Sequence, residues 1–262
     1  MSLRSVLGAA RRSVLLSVRR RDARLRNDEP IVSFSFDDFP RTAYTAGGRI
    51  LEQSGVRGTF YAAFGLMNTA SESGELFHAG DVDSLLDKGH ELGSHTFGHV
   101  SCRKVSCAAF CEDVVKGNEA VADVSGLETF NFAYPFGHMT LQTKRALAAS
   151  VSSARSNIPG FNGPEVDLNM LRANRLYGDL DQAKQVEELI VENVKRKSWL
   201  IFYTHDVQSN PSTFGCTPAL LELAVACVAR TGCRTLTVQE ALEFAEDQNG
   251  NPKGQVRRPV SA

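Results

Sequence analysis

Between residues 31 and 246, short runs of strand-forming apolar residues alternate with stretches of helical spacing. A chain patterned this way lays its strands parallel, because each helix carries it back to the same end of the sheet. Ile31-Val32-Ser33-Phe34-Ser35-Phe36 reads as a buried strand that stops at Asp37-Asp38-Phe39-Pro40. A helix is expected around 44–54, a strand at 57–63 and a helix capped by Asp81 that runs to Lys88. Glu91–Ser94 is a brief strand that delivers His95. Helical spacing over 106–123 leads to a strand at 129–134 that ends on Pro135-Phe136-Gly137. A helix near 140–149, a strand at 150–153 and a helix at 183–197 come next. The strand Trp199–Thr204 then delivers His205, and a helix at 217–230, a strand at 233–236 and a helix from 238 complete the order. Segment 154–182, with several Gly, Pro and Asn, reads as loops that face a substrate.

The fold class that follows is α/β with a largely parallel sheet, open or closed, in one domain of 29–247, a length that a single barrel also suits. Asp37, Asp38, His95, the Pro135–Gly137 turn and His205 all fall at or just past the C-terminal ends of strands. In a barrel those ends surround one mouth, where reactive groups collect.

Charge narrows the partners. The net charge is only -1, which argues against nucleic acid. Residues 1–28 nevertheless hold eight arginines and two aspartates, a net of +6, so the remainder carries -7. Within 3–20, Leu3, Val6, Leu7, Ala10, Val14 and Val18 share one helical face among arginines. Three readings stand: an interfacial helix touching an anionic membrane, an organelle transit segment, or a helix docked on the barrel. Arg11 and Arg12 break a secretory core, so the expected location is cytoplasmic, with membrane association through this segment. Residues 248–262 read as a polar tail. The six cysteines make no C-x-x-C pair and are read as reduced, mostly buried small side chains. Cys102, three residues after His99, is alternatively a further ligand.

Two features carry chemistry. His95 and His99 stand four residues apart, which on a helical turn places two imidazoles on one face, close enough to share a metal. Asp37 and Asp38 are adjacent carboxylates at the end of a buried strand, and their repulsion calls for a cation nearby. His78 and His90 read as surface or edge residues, and Trp199 as core.

Phe34-Ser35-Phe36-Asp37-Asp38, His95-Thr96-x-x-His99, Phe132-Ala133-Tyr134-Pro135-Phe136-Gly137 and Phe202-Tyr203-Thr204-His205-Asp206 resemble, in order, the motifs of the polysaccharide deacetylase family, the NodB-homology domain. The resemblance implies a distorted (β/α) barrel of seven or eight strands and hydrolytic removal of acetyl groups from an N-acetylated sugar, oligosaccharide or glycan precursor. It assigns Asp38, His95 and His99 to a divalent metal, zinc by default, with cobalt, manganese or nickel as chemical alternatives. Metal-bound water is then the nucleophile, Asp37 resembles the general base, and His205 resembles the acid that protonates the leaving amine. The backbone of the Tyr134–Gly137 turn, above all Phe136, would hold the oxyanion. Pro135, His138 and Tyr203 would border the substrate. Phe39 stands where the family commonly has glycine, and is expected to narrow or reshape the mouth. Ala133 stands where the family has an arginine that orients the base, so Arg155, Arg172 or Arg175 must hold Asp37. For the carboxylate behind His205 the choices are Asp167, Asp179 and Asp206. The alternatives to an N-deacetylase are a glycan-binding barrel without turnover, or a hydrolase of O-acetyl or other non-peptide amide bonds.

Overall fold

The computed structural model describes residues 14–18, 20–25, 29–126 and 130–248. Its centre is a parallel sheet of β1 (Ile31–Asp37), β2 (Thr59–Ala62), β3 (Glu91–Ser94), β4 (Asn131–Ala133), β5 (Ser153–Arg155), β6 (Asn174–Arg175), β7 (Trp199–Thr204) and β8 (Arg234–Thr235). The order across it is β6-β7-β1-β2-β3-β4-β5, and β8 lies beside the start of β1. One irregular segment closes the ring. Leu171 bridges Arg155 of β5, and three residues later β6 pairs with Phe202 and Tyr203 of β7. Seven strands thus form the distorted barrel.

Strand alternation sorts the side chains. Val32, Phe34, Phe36, Phe60, Ala62, Leu92, Leu200 and Phe202 belong to the large apolar cluster beneath the helices. Their neighbours Ser33, Ser35, Asp37, Tyr61, Arg155, Trp199 and Tyr203 fill the barrel interior. Small residues make that filling possible. Ser33 accepts a hydrogen bond from the Trp199 indole at 2.9 Å. A Cβ at Gly93 would lie 2.6 Å from the Tyr61 ring, so only glycine lets that ring sit inside. Trp199 is fully buried, as its place in a strand implied.

Outside the ring pack α1 (Arg49–Gln53), entered through a π-helical stretch at Ala43–Gly48, α2 (Ala79–Asp87), α3 (Cys107–Ser125), α4 (Leu141–Ala146), α5 (Ala183–Arg196), α6 (Pro218–Thr231) and α7 (Val238–Gln248). Ser106, Thr140 and Thr217 cap α3, α4 and α6 by accepting a backbone N–H. Asp81 does not cap α2. It lies one turn inside, where its carboxylate accepts the His78 N–H at 2.9 Å, and His78 is the cap. The strand expected at 150–153 begins only at Ser153, because Leu147–Ala149 continue α4 as a 3-10 turn. His90 is not a surface residue. It is buried, accepts the Gly58 N–H at 3.0 Å and faces Glu52.

Residues 14–18 and 20–25 dock on the barrel. The turn at 14–17 places Leu15 in an apolar cluster with Phe132 and Met139. Buried Lys144 donates to the Leu15 and Val18 carbonyls at 2.7 and 3.0 Å and pairs with Asp167 at 2.5 Å. Asp22–Arg24 then pairs with Glu165–Asp167 as an antiparallel ribbon. This fits the docked reading for the end of segment 3–20, while residues 1–13 and the tail from 249 lie outside the described residues. Among the described residues no helix is long and apolar enough to cross a membrane. Lys144→Met leaves Asp167 buried without its cation, and urea denaturation should show a loss of about 3 kcal/mol.

Candidate active site

Asp37 is the last residue of β1 and points into the barrel, where its carboxylate pairs with the Arg155 guanidinium. Arg155 is buried, with its guanidinium carbon 5.1 Å from the Tyr61 ring centre and 4.9 Å from that of Tyr203. Burial by itself would favour loss of its proton, but the Asp37 charge and hydrogen bond outweigh that and keep it cationic. Of the three arginines considered for Asp37, the fold selects this one. Arg172 donates to the Pro159 carbonyl and Arg175 to the Tyr203 hydroxyl. Arg155 is also the cross-strand partner of Ala133. The guanidinium that the family draws from one strand comes here from its parallel neighbour.

The next residue turns back. Asp38 and Phe39 have φ of 62° and 54°, and this left-handed turn keeps the Asp38 carboxylate at the mouth beside Asp37. Asp38 Oδ1 lies 3.4 Å from His95 Nε2 and 3.1 Å from His99 Nε2, and His205 Nε2 is 3.8 Å from Oδ2. Desolvation pushes the Asp38 carboxyl up, yet the facing His95 imidazole above all, with the His99 and His205 rings, holds it well below the ordinary range. Desolvation and the adjacent His95 push His99 down to about 4, so it is neutral near pH 7.

The two histidines are not on a helix. His95 follows β3 and prolongs it, its N–H donating to the Ala62 carbonyl at 3.0 Å. Thr96 and His99 then take φ of 61° and 53°, and the resulting loop sets the two rings 4.9 Å apart. Asp113 on α3 fixes the loop by accepting the Gly98 N–H at 2.9 Å. Gly117 allows α3 to approach, since a Cβ there would stand 2.7 Å from the Thr96 carbonyl carbon. His95 Nδ1 is 2.8 Å from the Ala133 carbonyl, which can only accept, so Nε2 of the neutral ring carries its lone pair toward Asp38.

His205 follows β7, and its Nδ1 faces the Phe214 carbonyl at 3.2 Å. None of the three aspartates considered reaches it. Asp167 pairs with Lys144, Asp179 caps the turn at 180–182, and Asp206 accepts Ser212 Oγ at 2.5 Å and Gln208 Nε2 at 2.8 Å within its own loop. Cys102 donates to the His138 carbonyl at 3.2 Å, inside an apolar cluster away from the Asp38-His95-His99 group. All six cysteines are free.

A cleft of about 330 Å³ joins Asp37, Asp38, His95, His99, Arg155 and His205. Phe136 borders it with φ of 60°, its exposed ring 4.5 Å from His99. The Gly137 and His138 amides close the turn onto the Tyr134 and Pro135 carbonyls. Tyr134 and Tyr203 border the cleft, though the Tyr134 hydroxyl points away to the Asn169 carbonyl. Pro135 and His138 do not line it, and His138 instead bonds to Ser101 behind Phe136. Among the lining residues that the sequence did not single out are Tyr177, Asn157, Phe214 and Ser73. Only the loop-rich composition of 154–182 hinted at the first two. Phe39 does not narrow the mouth. It is fully buried, stacked on Phe77 at 4.9 Å.

Residues 24–151 match the family model described as polysaccharide deacetylase. Those residues, just under half of the chain, carry the polysaccharide deacetylase homology region. The peptidoglycan-N-acetylglucosamine deacetylase of Listeria monocytogenes is 25% identical over 121 residues, 46% of this chain and 24% of that protein. This chain thus matches about a quarter of the length of its curated relative. The chitin deacetylase of the fungus Colletotrichum lindemuthianum has the same fold, with a TM-score of 0.59 at 20% identity over 85% of this chain and 92% of the other. A family 4 acetyl xylan esterase from Clostridium thermocellum superposes with a TM-score of 0.56 at 17% identity, covering 85% and 93%. The distorted barrel is therefore a fold that this chain shares with that chitin deacetylase and that acetyl xylan esterase.

Phe39 tests whether packing or backbone strain dominates beside the site. Phe39→Gly removes the cost of a left-handed φ, about 1–2 kcal/mol, but also a buried ring worth about 3–5 kcal/mol. Chemical denaturation should therefore show a net loss of about 2 kcal/mol.

Proposed function

We propose that this protein is a metal-dependent hydrolase that removes the acetyl group from an N-acetylated sugar, oligosaccharide or glycan precursor. The observation that carries the reading is the convergence of Asp38, His95 and His99 beside the Asp37–Arg155 pair and His205 in one cleft. The donor set fits a cation. Asp38 Oδ1 is buried without a hydrogen-bond partner and faces two imidazole nitrogens, an arrangement of acceptors that a divalent ion would satisfy. Zinc is the first expectation for one carboxylate and two imidazoles, with cobalt, manganese or nickel as substitutes. Such an ion, when bound, supplies Lewis-acid polarisation of the acetyl carbonyl and lowers the pKa of water.

The chain's own residues do the rest. Arg155 holds one Asp37 oxygen, and the other is free to accept the proton of the attacking water. The Phe136 N–H, at the head of a turn whose next two amides are already engaged, stabilises the developing oxyanion. His205 Nε2 gives a proton to the departing nitrogen while its Nδ1–H donates to the Phe214 carbonyl, which fixes the ring. Water adds to the acetyl carbon, the C–N bond breaks, and acetate and a free amine leave. A carbonyl supports an imidazolium less than a carboxylate does, and that favours, as a second reading, a slow enzyme or a glycan-binding barrel. The basic segment 3–20 would hold the protein against an anionic membrane face, on the cytoplasmic side.

Acetate release from N-acetylated and O-acetylated oligosaccharides, with and without chelator, tests the proposal. No release from any of them by metal-loaded protein that binds the glycans would establish the second reading. Asp37→Asn should keep its metal while kcat falls about a thousandfold. His95→Ala should lower metal affinity and activity together, each by about tenfold or more. Arg155→Ala should lower kcat, and the double variant Arg155→Ala/Ala133→Arg should recover part of it by returning the guanidinium from the adjacent strand.

A further inference from the structure

A second cavity, of about 1090 Å³, adjoins the cleft and shares Gly137, Asn157, Arg175 and Tyr177 with it. Its wall has an unusual charge. Among the described residues it holds Arg103 and Arg175 but no aspartate or glutamate, although the chain has about as many acidic as basic residues, 30 against 29. Asp179 and Asp181 are nearby in sequence but do not line it. The remaining polar wall is made of the amides of Asn157, Asn174, Gln182 and Gln185 and the hydroxyl of Thr213.

Neither arginine is neutralised. Arg20, Arg41, Arg155, Arg196, Arg230 and Arg234 all pair with carboxylates. Among the described residues Arg103 and Arg175 pair with none. Arg175 stands at the junction of cleft and cavity. Its Nε donates to the Tyr203 hydroxyl at 3.4 Å, and its guanidinium carbon lies 5.8 Å from the Tyr177 ring centre. Two aromatic residues thus hold one face of the guanidinium and one of its five N–H groups, leaving the other four for a ligand. A planar fork of donors in a cavity without competing carboxylates selects carboxylate or phosphate oxygens, and the concave wall concentrates its potential.

We infer that the substrate carries an oxyanion, a carboxylate or a phosphate, next to the acetylated sugar, and that Arg175, aided by Arg103, receives it in this second cavity. The inference rests on the deacetylase reading and narrows its substrate class. Arg175 acts on specificity, through binding, and takes no part in proton transfer.

The test compares acetate release by the metal-loaded full chain on three probes. These are a neutral chitin tetrasaccharide, a muramic-acid-containing tetrasaccharide bearing carboxylates, and N-acetylglucosamine 1-phosphate. Wild-type kcat/KM should favour at least one anionic probe over the neutral one by about tenfold, through KM, and added salt should erode the preference. The two anionic probes separate carboxylate from phosphate. Arg175→Gln should lower kcat/KM on the preferred anionic probe about tenfold more than on the neutral one, and Arg175→Lys should restore part of the difference. Equal kcat/KM for neutral and anionic probes, or equal losses in Arg175→Gln, would overturn the inference while leaving deacetylation intact. Calorimetric binding of the same probes to Asp37→Asn protein, with and without Arg175→Gln, reads the preference without turnover. Absence of acetate release together with an Arg175-dependent preference for the anionic probes would overturn the deacetylase reading and keep the subsite. Indifferent binding would remove the subsite.

Discussion

A guanidinium enclosed in a barrel needs a carboxylate within reach, and the pairing of Arg155 with Asp37 meets that need at the top of the ring. Removing either partner leaves an uncompensated buried charge, at a cost of about 3–5 kcal/mol. Much of the interior is arranged around the pair. Tyr61 and Tyr203 offer their ring faces to the guanidinium, Gly93 leaves space for Tyr61, and Ser33 leaves room for Trp199 and accepts its indole N–H. The same pair orients the carboxylate proposed as base. One contact therefore joins the packing of the barrel to the chemistry at its mouth.

Around that pair the backbone is bent at cost. Asp38, Phe39, Thr96, His99 and Phe136 all take positive φ without being glycine, and all five lie at the mouth or on the turns that build it. Such conformations persist only where the surroundings over-determine them. Phe39 is held by aromatic stacking on Phe77, Thr96 and His99 by the approach of α3 at Gly117, and Phe136 by a closed turn. Rigidity of this kind keeps three imidazoles and a carboxylate within contact, although each would separate on a freer loop.

The barrel was legible in the chain because its evidence is local and periodic. β1, β3 and β7 lie where apolar runs meet a stop, and Ser106 and Thr217 begin helices where capping chemistry places them. What misled was also local. Asp81 has the right type for a cap, but its carboxylate serves the His78 N–H one turn earlier. The spacing of His95 and His99 has helical periodicity, yet left-handed residues in a loop bring the two rings together. His90 looked like a surface residue because nothing in its own neighbourhood shows that Glu52 and Gly58 will close over it.

By itself the sequence determined which residues could meet. Strand ends in a parallel barrel share one mouth, so Asp37, Asp38, His95, His99 and His205 were bound to converge there. Their supports were not determined in this way. Whether Asp37 is held by Arg155, Arg172 or Arg175, and whether a carboxylate or a carbonyl backs His205, depends on register between strands far apart in sequence. The register that sets Arg155 beside Ala133, and the loop that turns Phe214 toward His205, exist only once the ring has closed. Periodicity assigns a side chain to a face, whereas only tertiary packing chooses its partner across that face.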